Sequence, residues 1–94
     1  MNAPFLRPLY SARDCCKIME TCDRRIQIVR DLNARTAYDR QCHANAIAFL
    51  QDMNSAAAEC LDYVNGEEGF EGAPERLAAF MDGPLPFPHT EFGL

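Results

Sequence analysis

Cys42 and His43 stand side by side in "RQCHANAI", and a thiolate beside an imidazole is raw material for a zinc site or a nucleophilic pair. Their spacing argues against both. Neighbours on a helix point about 100° apart, so these two side chains cannot face one ion. The other histidine, His89, lies far along the chain, and no ligand spacing links it to them. His43 is therefore expected to be an exposed polar residue, and neither a metal nor another cofactor is expected. The vicinal pair Cys15-Cys16 lacks a C-x-x-C spacing. A helix N-terminus would lower its thiol pKa values only modestly, so packing is expected, at least for Cys15. The carboxylates of "GEEGFEGAPE" have no histidine, serine motif or glycine-rich phosphate loop beside them. No catalytic residue is assigned, and enzymatic activity is not expected.

Five cysteines, Cys15, Cys16, Cys22, Cys42 and Cys60, are many for 94 residues, and the odd number leaves one thiol free if the others pair within the chain. The twin C-x9-C and C-x3-C spacings of imported helical hairpins are missing. Two bridges across an antiparallel hairpin must fit one register. Cys22 with Cys42 and Cys15 with Cys60 imply different registers, so at most one bridge suits an ideal hairpin. Most of the cysteines are expected to be reduced, small and buried.

The elements that would position these residues follow from periodicity and capping. Ser11 with Asp14 forms a capping-box pattern, and Cys15, Met19, Cys22, Ile26 and Val29 recur at steps of 4, 3, 4 and 3, which predicts a helix over 11–33. A pause is expected near Asn33, since Thr36 with Asp39 offers a second cap, although one continuous helix is the rival. The second helix is expected over 36–64, ending at Asn65-Gly66. It carries two apolar rows, one of Tyr38, Cys42, Phe49, Met53, Ala56, Cys60 and Val64, the other of Ile47, Leu50, Ala57 and Leu61. A two-helix hairpin covers only one row, so the second is expected to bind a partner. After the glycine-rich acidic stretch 66–73, where Phe70 is expected to be pinned to a surface, Pro74 opens a third helix over 74–82 with a face of Leu77, Phe80 and Met81. The expected fold is all-α: a helical hairpin of two long helices and a short third one, between extended proline-rich arms at 1–10 and 83–94, in a single small domain.

Charge divides along the chain. Residues 1–40 carry eight basic against five acidic side chains, a net of +3, and residues 41–94 carry one basic against nine acidic, a net of −8. A polyanion would be repelled by more than half the molecule, so no direct nucleic-acid binding is expected. No apolar run approaches the ~18 residues needed to span a bilayer. Residues 1–13 hold two arginines and no acid, an echo of a mitochondrial presequence, but Pro4 and Pro8 interrupt the amphipathic helix such a signal needs. Any import is expected to proceed without cleavage. Leu9-Tyr10 falls short of the Leu-Tyr-Arg triplet that opens a helix in a family of small mitochondrial assembly factors, because Ser11 stands where the arginine would be. Tyr10 is expected to pack just ahead of the cap.

The C-terminal "PLPFPHTEFGL" joins Pro84, Pro86 and Pro88, which hold the backbone extended, to Leu85, Phe87, Phe92 and Leu94, which solvated linkers normally lack. A chain this short buries only about 60–65% of the surface its unfolded form exposes, so a partner could supply what its core lacks. The expected function is a non-enzymatic accessory subunit that packs on protein subunits of a larger assembly, through Ile47, Leu50, Ala57, Leu61, Leu85, Phe87, Phe92 and Leu94. A mitochondrial respiratory or ATP-synthase complex is the assembly expected, near a membrane but without a spanning segment. The alternative is a small acidic inhibitor, of phage anti-defence or nucleic-acid-mimic type, acting in the cytoplasm on a basic nucleic-acid-binding surface. A zinc- or thiol-based redox module ranks third.

Overall fold

A computed structural model describes residues 10–66 and 71–83 of this chain. The proline-rich arms, Phe70 and the tail residues Leu85, Phe87, Phe92 and Leu94 lie outside the described residues. Three helices follow in order, α1 (Ala12–Asp31), α2 (Ala37–Val64) and α3 (Ala73–Asp82), and the described fold is all-α, with the two long helices paired as a hairpin.

Local chemistry sets the helix ends. The Asp14 backbone N–H donates to Ser11 Oγ at 3.0 Å, and the Ser11 N–H donates to Asp14 Oδ2 at 3.1 Å, a complete reciprocal cap on α1. The helix leaves the α conformation at Leu32, which is extended, and the chain turns where Asn33 was expected to interrupt it. Thr36 Oγ1 accepts from the Asp39 N–H at 3.0 Å, while Asp39 Oδ2 reaches one residue further back to accept from the Arg35 N–H at 3.1 Å. One orphan helix donor, the Asp39 N–H, and the N–H of the residue ahead of the cap are thereby satisfied. At the far end Gly66 adopts φ +76°, the left-handed conformation that costs a glycine nothing and stops the helix. Pro74 lies in the first turn of α3, one residue further in than expected.

The seam between α1 and α2 corrects the row assignment. The buried α2 residues are His43, Ala46, Leu50, Met53, Ala56, Ala57 and Cys60. His43, Ala46, Leu50, Met53, Ala57 and Cys60 step by 3, 4, 3, 4 and 3, the spacing of a seam between antiparallel helices. This stripe draws on both expected rows. Leu50 and Ala57 belong to the core of the chain itself, at 1% and 0% exposure, while Tyr38 at 76% and Val64 at 38% face outward. Ile47 is half-buried against Ile26, Val29, Ala46 and Leu50, and Leu61 is half-buried against the group containing Cys15 and Cys60. The uncovered row is thus largely covered by α1 and α3. His43 is buried rather than exposed, because it occupies the seam position one step before Ala46, and its side chain is engaged within the fold.

α3 runs back along α2. Arg76 pairs with Glu59, and its guanidinium carbon lies 5.8 Å from the centroid of the Phe80 ring. Phe80 in turn meets Phe49 edge to face. The face that α3 buries is Ala73, Pro74 and Leu77. Met81, expected on that face, is 45% exposed at its edge.

Candidate protein-binding groove

Both α1 and α3 pack on α2, but no Cα of α1 comes within 8 Å of one in α3. Two helices laid on a third with their backbones held that far apart leave a trough between them. Its volume is about 240 Å³, and its lining is Lys17, Ile18, Thr21, Cys22 and Arg25 from α1, Met53 from α2 and Met81 from α3. The α1 residues fall at i, i+1, i+4, i+5 and i+8, one continuous face of that helix. Met53 forms the floor at 8% exposure, and Met81 the outer lip. Thioether side chains adapt their shape to what they touch, which suits a surface that receives an irregular apolar group.

Charge at the trough is one-sided. Lys17 is exposed and Arg25 half-buried, so two cations frame an apolar floor in a chain whose formal net charge is −5. The Cys22 thiol is no nucleophile at neutral pH: burial, opposed by Arg25 and reinforced by Asp23, pushes its pKa up to about 11. What the trough can do is bind. At about 240 Å³ it falls short of the roughly 300–1,000 Å³ typical of clefts for drug-sized ligands. It suits one or two anchor side chains of another protein, with a carboxylate near the rim.

Of the residues expected to bind a partner, Leu50 and Ala57 are core, Ile47 and Leu61 are half-buried away from the trough lining, and the four tail residues lie outside the described residues. The trough itself escaped the sequence. Lys17, Thr21 and Arg25 were not singled out in the sequence, and the packing of α3 on α2 is what gives that face an opposite wall.

The vicinal cysteines separate as expected for packing: Cys15 is fully buried and Cys16 exposed. Among the described residues, no three His, Cys, Asp or Glu side chains gather as they would to hold a metal, and no helix is long and apolar enough to cross a membrane. No protein-family model matches this chain, and no curated protein and no solved structure was found to be similar to it.

Proposed function

We propose that this chain is a non-enzymatic accessory subunit that docks on other proteins of a larger assembly. The observation that carries this is the cation-rimmed apolar trough, whose volume and methionine lining fit a protein anchor. The tail residues Leu85, Phe87, Phe92 and Leu94 serve as further anchors on the strength of their sequence alone: prolines between them limit the entropy lost on docking. A mitochondrial respiratory or ATP-synthase complex is the assembly proposed, and its support is the acid-free basic start and the cysteine count.

The experiment is native purification of the tagged full-length chain alongside Thr21→Trp, which fills the trough from its α1 wall. Wild type should co-migrate with stoichiometric subunits on native gels, and Thr21→Trp should lose them while keeping its helical circular dichroism. Unchanged assembly with the trough filled would remove the trough from this function. Migration of the wild type as a free protein in its native source would end the subunit reading.

A second reading, the small acidic inhibitor, is favoured by the exposed carboxylates of Asp52, Asp62, Glu71 and Asp82. It requires that the captured partner be a basic nucleic-acid-processing protein and that capture collapse in high salt.

A further inference from the structure

The α1–α2 register brings two cysteines to one level. Asn54 Nδ2 donates to Asp23 Oδ1 at 2.8 Å across the seam, which pins those residues opposite each other. Cys15 lies eight residues before Asp23, about 12 Å back along α1, and Cys60 lies six residues after Asn54, about 9 Å forward along α2. In antiparallel helices those two displacements run in the same direction. Both residues are 0% exposed, both belong to one buried cluster with Ala57, Ala73 and Leu77, and the Cys60 thiol lies close enough to act on the Cys15 thiol, helping burial to push its pKa up.

We propose that Cys15 and Cys60 form one redox couple, closing into a disulfide that latches the start of α1 to the end of α2 beneath α3. The other cysteines do not compete. Cys22 faces the trough near Met53, Cys16 points to solvent, and Cys42 sits near the opposite end of α2. The structure contains the reduced state. The oxidised state follows by exchange with a small disulfide such as oxidised glutathione. While α3 is lifted and the burial that raises the thiol pKa is relieved, one protein thiolate attacks a glutathione sulfur and releases one glutathione thiol. The second protein thiolate then attacks the protein sulfur of the mixed disulfide and releases the other. Two protein thiols and one glutathione disulfide become one protein disulfide and two glutathione thiols: two electrons leave the protein, and both thiol protons end on glutathione.

The latch would span a loop of about 45 residues, long enough for a bridge to restrict the unfolded chain strongly. Its burial shapes its kinetics. Leu77 and Ala73 share the cluster with both sulfurs, so an oxidant reaches them when α3 lifts away. A bond formed there is sheltered from exchange once α3 returns.

The test uses the full chain in defined mixtures of reduced and oxidised glutathione, quenched with a thiol alkylator in denaturant and read by intact mass and peptide mapping. Trypsin leaves Cys15 with Cys16, and Cys42 with Cys60, so Cys16→Ser with Cys42→Ser makes the assignment unambiguous. The expected result is one intramolecular bridge, between Cys15 and Cys60, and a melting temperature about 10 °C or more above that of the reduced chain. Cys60→Ala should abolish the bridge. A bridge through Cys22, only intermolecular dimers, or no bridge at any glutathione ratio would overturn the proposal, and the wild-type map decides even if the variants fold poorly.

Discussion

The rings of Phe49 and Phe80 meet at 5.4 Å between centroids with planes 64° apart, the contact that ties the C-terminal turn of α3 to the middle of α2. Edge-to-face pairs of this kind contribute about 0.5–1.5 kcal/mol beyond the area they bury. Arg76 adds its pair with Glu59 near the other end of α3, but both side chains are over a third exposed, and exposed pairs contribute about 0–1 kcal/mol. Phe80→Ala should therefore cost about 2 kcal/mol and Arg76→Ala less than about 1 kcal/mol, measured by urea denaturation. Equal costs would mean that the ion pair, not the rings, seats α3. Because α3 covers the two buried sulfurs, Phe80→Ala should also speed the closure of Cys15 with Cys60 several-fold.

Leu50 and Leu61 look alike in the sequence, but Leu50 sits in the seam at 1% exposure and Leu61 at a half-buried flank. Truncating a fully buried leucine costs about 2–5 kcal/mol, from lost transfer energy and the cavity left behind. Leu50→Ala should cost about 3 kcal/mol in the isolated chain, and Leu61→Ala less than half as much. Similar small losses for both would restore Leu50 to an uncovered surface row.

What the sequence revealed and what it hid divide along a physical line. Helix ends depend on contacts three or four residues apart, so Ser11 with Asp14, Thr36 with Asp39 and the Asn65-Gly66 stop were all legible before any tertiary contact was known. The α1 stripe was legible too: of Cys15, Met19, Cys22, Ile26 and Val29, all are buried except Met19, which is half-buried. The α2 seam was not. Choosing apolar bulk favoured Cys42 and Phe49 over His43 and Ala46, whereas a close helix–helix approach uses small residues and tolerates a buried imidazole that finds a partner. The trough depends on where α3 comes to rest after its linker, a non-local outcome that no spacing within α1 encodes.

The cap at α2 gives a prediction that is independent of packing. Thr36 Oγ1 satisfies one orphan N–H, so Thr36→Ala should cost about 1 kcal/mol and Thr36→Ser much less. The corresponding acid at α1, Asp14, has its carboxyl held below the usual carboxylate range by the Ser11 backbone N–H first and the Ser11 hydroxyl second. A depressed carboxylate pKa adds stability above the unfolded-state value that is lost as pH falls through the folded value. The acid limb of the stability curve should therefore flatten in Asp14→Asn, as read by circular dichroism melts between about pH 5 and pH 2. An unchanged acid limb would show that the cap is not formed in solution.

The buried thiols set the alkaline limb, and with the opposite sign. Burial first, then the Cys60 thiol, pushes Cys15 up from the ordinary value of 9.0 to about 12, and burial pushes Cys22 up from 9.0 to about 11. The unfolded chain releases these protons at lower pH than the folded chain does. The stability linked to them is therefore complete below about pH 9 and is lost as pH rises toward the folded values. Under reducing conditions, urea midpoints should hold steady to about pH 9 and fall beyond it. The fall should be shallower in Cys15→Ala, in which the contributions of Cys22 and of Tyr10, whose phenol burial also pushes up, remain. The same burial fixes an order of reaction at pH 8, which timed labelling with iodoacetamide and mass spectrometry can follow. Cys16, exposed at the surface, should modify first, Cys42 next, and Cys15, Cys22 and Cys60 only at the rate at which the fold opens. If Cys15 were to label as fast as Cys16, the α1 seam would not be packed as described, and the latch with Cys60 would fail with it.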